Sequence, residues 1–134
     1  MTDILFITPN NAKVTYQALS NKYSAIEPPT WALILAESCR QAGHDPKILD
    51  CLAENLGDDE AIEKIVSMAP KVICFAVYGQ NVNAGTTNMS GAVRLAELIK
   101  AEKSITAPIG FVGSHVQALP KETLLKESCI GLFV

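Results

Sequence analysis

Apolar residues along this chain fall into two alternating rhythms: short unbroken runs, and longer stretches in which apolar positions recur every three or four residues. The first run, Asp3-Ile4-Leu5-Phe6-Ile7-Thr8, is rich in β-branched and aromatic residues and is closed by Pro9-Asn10-Asn11, which predicts a strand buried on both faces. Pro28-Pro29-Thr30 then opens a helix over 30–42 whose expected inner face is Trp31, Ile34, Leu35, Ser38 and Cys39, with Gly43 as its stop. His44, after that glycine, reads as a turn residue. Pro46–Asp50 is a short strand, and Asp58 or Asp59 caps a helix that carries Ile62, Ile65 and Val66 on one face as far as Met68, ended by Pro70. Val72–Val77 is the strongest strand signal. A polar, small-residue segment, Gly79–Asn88, follows it, and then a helix through about Lys103 with Met89, Ala92, Val93, Ala96 and Ile99 inward. Pro108–Val112 is the fourth strand, Gly113-Ser114-His115 turns off it, Pro120 opens a short helix to about Glu127, and Cys129–Val134 is the fifth strand.

Strands alternating with helices, over connections long enough for right-handed crossovers, predict an α/β fold with a parallel sheet covered on both faces. With five strands the flavodoxin-like, Rossmann-type three-layer sandwich in the order 2-1-3-4-5 fits best. There is no internal repeat, low-complexity tract or linker, so residues 1–134 are read as a single domain. On such sheets ligands bind at the carboxyl ends of the strands, near the switch point between the first and third. That rule selects Thr8 to Glu27, Tyr78 to Asn88, and Gly113 to Leu119.

The first of these segments is long for a βα connection, as lids and binding loops are; a surface excursion with its own helical turn around Val14 to Leu19 is the alternative. The second concentrates Gln80, Asn81, Asn83, Thr86, Thr87 and Asn88, uncharged donors and acceptors that suit a neutral, hydrogen-bond-rich ligand better than a phosphate. One of Thr86, Thr87 and Asn88 is expected to cap the following helix, while Gln80 and Asn81 lie too far upstream for that. Gly79 and Gly85 would let the segment turn or lie close against a ligand. In the third, His115 is open to three roles: ligand contact, acid/base group, or a turn residue bonded to backbone.

Composition narrows the classes. Of 134 residues 49% are apolar and 19% charged, with a net charge of −3, which argues for a folded core and against nucleic-acid or membrane-surface partners. The apolar runs Ile4–Ile7 and Trp31–Ala36 are too short to span a bilayer, and Met1-Thr2-Asp3 lacks the basic start of a secretory signal, so a cytoplasmic location is expected. Cys39, Cys51, Cys74 and Cys129 stand singly in apolar surroundings, as buried thiols do, without a CxxC pair. No GxGxxG, GxxxxGK[ST] or GxSxG is present, and the positions that a phosphoacceptor domain would fill with acids hold Thr8-Pro9-Asn10 and Val77-Tyr78-Gly79. No catalytic constellation emerges, and no metal-ligating set.

The residues do match a known pattern. Ile4-Leu-Phe-Ile-Thr-Pro9, the Pro28-Pro29 helix closing on Gln41-Ala-Gly-His-Asp45, Ile48-Leu-Asp50, Val72–Val77, and Pro108-Ile-Gly-Phe-Val-Gly-Ser-His115 followed by Leu119-Pro120-Lys-Glu-Thr-Leu124 together resemble the N-terminal cobalamin-binding domain of B12-dependent radical SAM enzymes. The resemblance implies cobalamin held over the strand ends by Thr8, Pro9 and Asn10, by Gln80 and Asn81, and by Gly113, Ser114 and His115. It implies use of that cobalamin, as a methyl carrier in most such enzymes, by a downstream catalytic domain of the same chain that binds S-adenosylmethionine and a 4Fe-4S cluster. Two features depart from related patterns. The Asp-x-His-x-x-Gly motif that donates a His to cobalt in other cobalamin domains is absent, as it commonly is in the radical SAM group, and so is the CxxxCxxC of the cluster.

The apolar end Cys129-Ile-Gly-Leu-Phe-Val134 suggests a piece of a longer protein. The reading from another class is a degenerate flavodoxin-like domain that binds no cofactor and serves interaction or substrate docking. Side chains of Trp31, Tyr78 or the 9–27 loop filling the space above the sheet would favour it. A stand-alone enzyme using His115 or a cysteine lacks a partner base in the sequence.

Overall fold

The computed structural model describes residues 1–11, 26–79, 82–126 and 131–133. Five strands, β1 (Ile4–Thr8), β2 (Pro46–Asp50), β3 (Val72–Val77), β4 (Ile109–Gly113) and β5 (Gly131–Phe133), pair in parallel in the order β2-β1-β3-β4-β5. The predicted fold class and strand order are those observed. Helices α1 (Thr30–Gln41), α2 (Asp58–Met68), α3 (Val82–Ala101), α4 (Ser114–Ala118) and α5 (Pro120–Lys126) make the connections. Parallel pairing explains the near-continuous apolar runs, because each central strand must satisfy a layer above and a layer below.

The two faces are unequal. Leu5, Ile7, Leu49, Ile73, Phe75, Val77, Ile109 and Phe111 point to one side, where they meet Ala61 and Ile65 of α2 and Met89, Ala92, Leu95, Ala96 and Ile99 of α3. Phe75 and Phe111 stack there with ring centroids 5.2 Å apart. Phe6, Cys74, Ala76 and Val112 point to the other side, under Ala32 and Ala36 of α1. At roughly 1.5–3 kcal/mol for each large apolar side chain fully buried, the α2–α3 face dominates the stability.

Three expectations are corrected at the level of elements. In α1 the innermost residues are Ala32 and Ala36, with Leu35 and Cys39 partly buried. Trp31 and Ile34, expected inside, are 51% and 55% exposed. Small residues let the helix lie close to the sheet, and that selects the alanine stripe over the bulkier one. For α2 the cap is Gly57, whose N–H donates to Glu60 Oε2 at 2.8 Å, so Asp58 and Asp59 are its first helical residues. The third correction is the largest: α3 begins at Val82, so Thr86, Thr87 and Asn88 lie within it and cap nothing. Asparagine, glycine and threonine are poor helix formers, and packing against neighbouring segments, described below, overrides that propensity.

At the amino edge Asp3 joins three strands. Its Oδ1 receives Lys71 Nζ at 2.6 Å, just before β3, and its Oδ2 receives the Asp45 N–H at 2.8 Å, just before β2.

Candidate functional site

The three segments chosen from topology meet at the carboxyl edge, and the first turns of α3 are what join them. Asn11, 4% exposed, donates its Nδ2 to the Thr87 carbonyl at 2.8 Å, and Ser90 Oγ donates to Asn11 Oδ1 at 3.4 Å. Gly91 of α3 leaves room for this approach, since a Cβ there would sit 3.2 Å from Asn11 Cβ. From the far side, His115 Nδ1 lies 3.2 Å from Thr86 Oγ1. Asn88 Nδ2 closes the group by donating to the Tyr78 carbonyl at 3.1 Å.

Each expected contact residue has a definite place. Thr8 ends β1, in register with Asp50 of β2. Pro9 is buried. Asn10 spans two loops: its Nδ2 donates to the Leu56 carbonyl at 3.3 Å, and its own carbonyl accepts Arg94 Nη2 at 3.4 Å. Gly113 ends β4 opposite Val77, at φ 155°, and a Cβ there would overlap the Val77 carbonyl oxygen. Ser114 and His115 are not turn residues, as expected, but the first residues of α4. Gln80 and Asn81, the acceptors and donors selected from the second segment, lie outside the described residues, as do residues 12–25 of the long first loop.

Ser114 Oγ is buried and has no hydrogen-bond partner among the described residues. It faces Gly85, where a Cβ would overlap it. Sequence reasoning had no signal for a second such atom, Asp50 Oδ2, at the end of β2. On the α1 face Trp31 stacks on Tyr78 with centroids 4.8 Å apart and planes 22° from parallel. That pair occupies the rim beside the end of β3.

The chemistry of this edge is largely uncharged, the Asp50 carboxyl at the end of β2 being the exception. Hydroxyls, amides and one imidazole line it, and the described residues contain no group of three His, Cys, Asp or Glu side chains able to hold a metal ion. Among the cysteines, burial pushes the Cys51 and Cys74 thiols up to about 12, which leaves them protonated and unreactive, while Cys39 is partly exposed and Cys129 lies outside the described residues. No helix of the described residues is long and apolar enough to cross a membrane.

Such an edge fits a large neutral ligand that carries its own metal and many amide groups. Cobalamin is one: a corrin ring supplies the nitrogen ligands of cobalt, so the protein needs to offer hydrogen-bonding groups and close backbone approach. The unpartnered Ser114 Oγ is consistent with that demand, while the room beside Gly113 and Gly85 is taken up by the Val77 carbonyl and by Ser114 itself.

Comparison with known proteins bears on the same ligand. The family described as B12 binding domain matches residues 16–134, a span that omits β1 and includes the other four strands. No curated protein matches the chain. Two solved structures are similar to it in fold, both of the radical S-adenosylmethionine methyltransferase TsrM from Kitasatospora setae. One, with a tryptophan substrate and a SAM analogue bound, has a TM-score of 0.59 and 13% identity and is matched over 93% of this chain and 22% of its own. The other, with cobalamin and a 4Fe-4S cluster bound, has a TM-score of 0.58 and 15% identity over 93% and 21%. The chain therefore spans about a fifth of the length of these neighbours.

Proposed function

Because the chain belongs to the B12 binding domain family, we propose that it is the cobalamin-holding module of a radical SAM enzyme, serving a catalytic domain downstream in the same polypeptide. The observation that carries this reading is the meeting of Asn10–Asn11, Thr86–Asn88 and Ser114–His115 at the strand ends, in a chain of that family. Thr8, Pro9 and Asn10 would line one side of the cofactor, Gln80 and Asn81 the middle, and Gly113, Ser114 and His115 the other side. Gly113 lets the end of β4 pass close against the Val77 carbonyl, and Ser114 would gain a partner for its hydroxyl. When bound, cobalamin supplies a cobalt centre suited to carrying a methyl group, and methyl transfer is the use proposed here. S-adenosylmethionine and the 4Fe-4S cluster belong to the downstream domain in this reading, and the location is cytoplasmic.

A second reading has one specific observation in its favour. The Trp31–Tyr78 stack occupies the rim on the α1 side, as expected of a domain that holds no cofactor and serves docking. One measurement separates the two. Hydroxocobalamin mixed with the purified chain is expected to co-elute on gel filtration with a changed visible spectrum. Absence of co-elution at high micromolar cofactor would favour docking without cofactor. Where binding is seen, the double variant Gln80→Ala/Asn81→Ala is expected to weaken it about tenfold or more, in line with two hydrogen bonds lost.

A further inference from the structure

Asp50 ends the edge strand β2 and is only 9% exposed. Its Oδ1 accepts the Ala53 N–H at 3.0 Å, which fixes the carboxylate in one orientation, and Oδ2 is buried with no hydrogen-bond partner. An ionised carboxylate accepts and cannot donate, so burial of one oxygen without a donor is costly. Among the described residues, five basic side chains are paired elsewhere: Arg40 with Glu37, Lys47 with Asp45, Lys64 with Glu54, Lys71 with Asp3 and Arg94 with Asp58. Among the described residues, Asp50 is therefore a fixed acceptor whose Oδ2 lacks a donor.

Its place says what kind of donor suits it. Asp50 is paired in register with Thr8, and strand alternation puts both on the side of Phe6 and Ile48, beneath α1. With strands about 4.8 Å apart, Asp50 and Ser114 stand three strands, roughly 14 Å, from one another along the carboxyl edge. The two buried atoms without partners among the described residues thus bracket the site from its two sides. We infer that Asp50 Oδ2 accepts a hydrogen bond from an N–H or O–H of the ligand held at this edge. The inference rests on the cobalamin reading, and in cobalamin the donors of that chemistry are the peripheral amides and the ribose hydroxyls of the nucleotide tail.

The test is an absorbance titration of wild type, Asp50→Asn and Asp50→Ser with hydroxocobalamin and with cobinamide, which keeps the amides and lacks the tail. Asparagine can keep the Ala53 bond through its oxygen and then presents N–H groups where Oδ2 stood; serine can keep that bond and removes the second oxygen. Both variants are expected to bind at least tenfold more weakly, with the apo thermal midpoint unchanged or raised because an unpartnered buried acceptor is gone. Loss with both ligands assigns the amides, and loss with cobalamin alone assigns the tail. Unchanged affinity in the two variants, with or without a lowered apo midpoint, overturns the inference and leaves the cobalamin reading standing. A wild-type chain that binds neither ligand overturns both.

Discussion

Gly113 carries the tightest local constraint at the carboxyl edge. Its φ of 155° with ψ of 174° lies in a region that only glycine populates readily, and a Cβ would collide with the Val77 carbonyl oxygen, part of the neighbouring backbone. Backbone cannot move aside as a side chain can. Gly113→Ala is therefore expected to destabilise the fold by about 2–4 kcal/mol, from strain and overpacking together, read as a lowered denaturant midpoint. The position of this glycine was legible in the sequence, since Gly-Ser-His follows an apolar strand. The reason for it was not, because the obstructing carbonyl belongs to a strand more than thirty positions earlier. Asp50 shows the same limit more sharply: nothing in Ile48-Leu49-Asp50 tells a solvated strand end from a buried, unpartnered oxygen.

Among elements, α3 does most to assemble the site. Its first two turns, written in Gly85, Thr86, Thr87 and Asn88, have the composition of a loop, and the sequence reading placed them in one. Those turns are helical because they are held from outside, by Asn11 on one flank and His115 on the other. Asn11→Ala removes the bond to the Thr87 carbonyl, which keeps Ser90 Oγ as a donor at 3.1 Å, and so cuts the tie between the end of β1 and α3 without orphaning the carbonyl. A loss of about 0.5–1.5 kcal/mol is expected, with faster amide exchange confined to the first turns of α3 and not its buried Met89–Ile99 stretch. Uniform acceleration along α3 would contradict this account. The face of α1 was misread for a related reason: a helical repeat offered two stripes, and close approach to the sheet chose the one with Ala32 and Ala36.

For the whole molecule, the two edges of the sheet differ in kind. The carboxyl edge is mostly uncharged and carries, among the described residues, the unpartnered oxygens of Asp50 and Ser114, whereas the amino edge is tied by Asp3 to Lys71 and to the Asp45 backbone. The Lys71 hydrogen bond, more than any other influence, lowers the Asp3 carboxyl below its usual value. A lowered folded-state value means that the stabilisation is complete above the unfolded carboxylate pKa, about 4, and is lost as pH falls through the lower folded value. Acid unfolding of the wild type should therefore steepen below about pH 4, and Asp3→Asn should flatten that part of the stability curve while changing little near neutrality beyond a constant offset. The pair is exposed, so its effect is modest and shrinks with salt.

The order of apolar runs and helical repeats determined the fold class, the five parallel strands and their order, because each of those follows from local periodicity and from the handedness of crossovers. The same residues carried the resemblance to cobalamin-binding domains that the family match then bore out. Tertiary structure alone decided where α3 begins, which stripe of α1 is inward, and that Trp31 closes on Tyr78. It alone left Asp50 and Ser114 each with a buried oxygen that has no partner among the described residues. These are properties of contacts between segments about thirty to eighty positions apart, where propensity is a fraction of a kcal/mol per residue and a buried hydrogen bond or a steric overlap outweighs it.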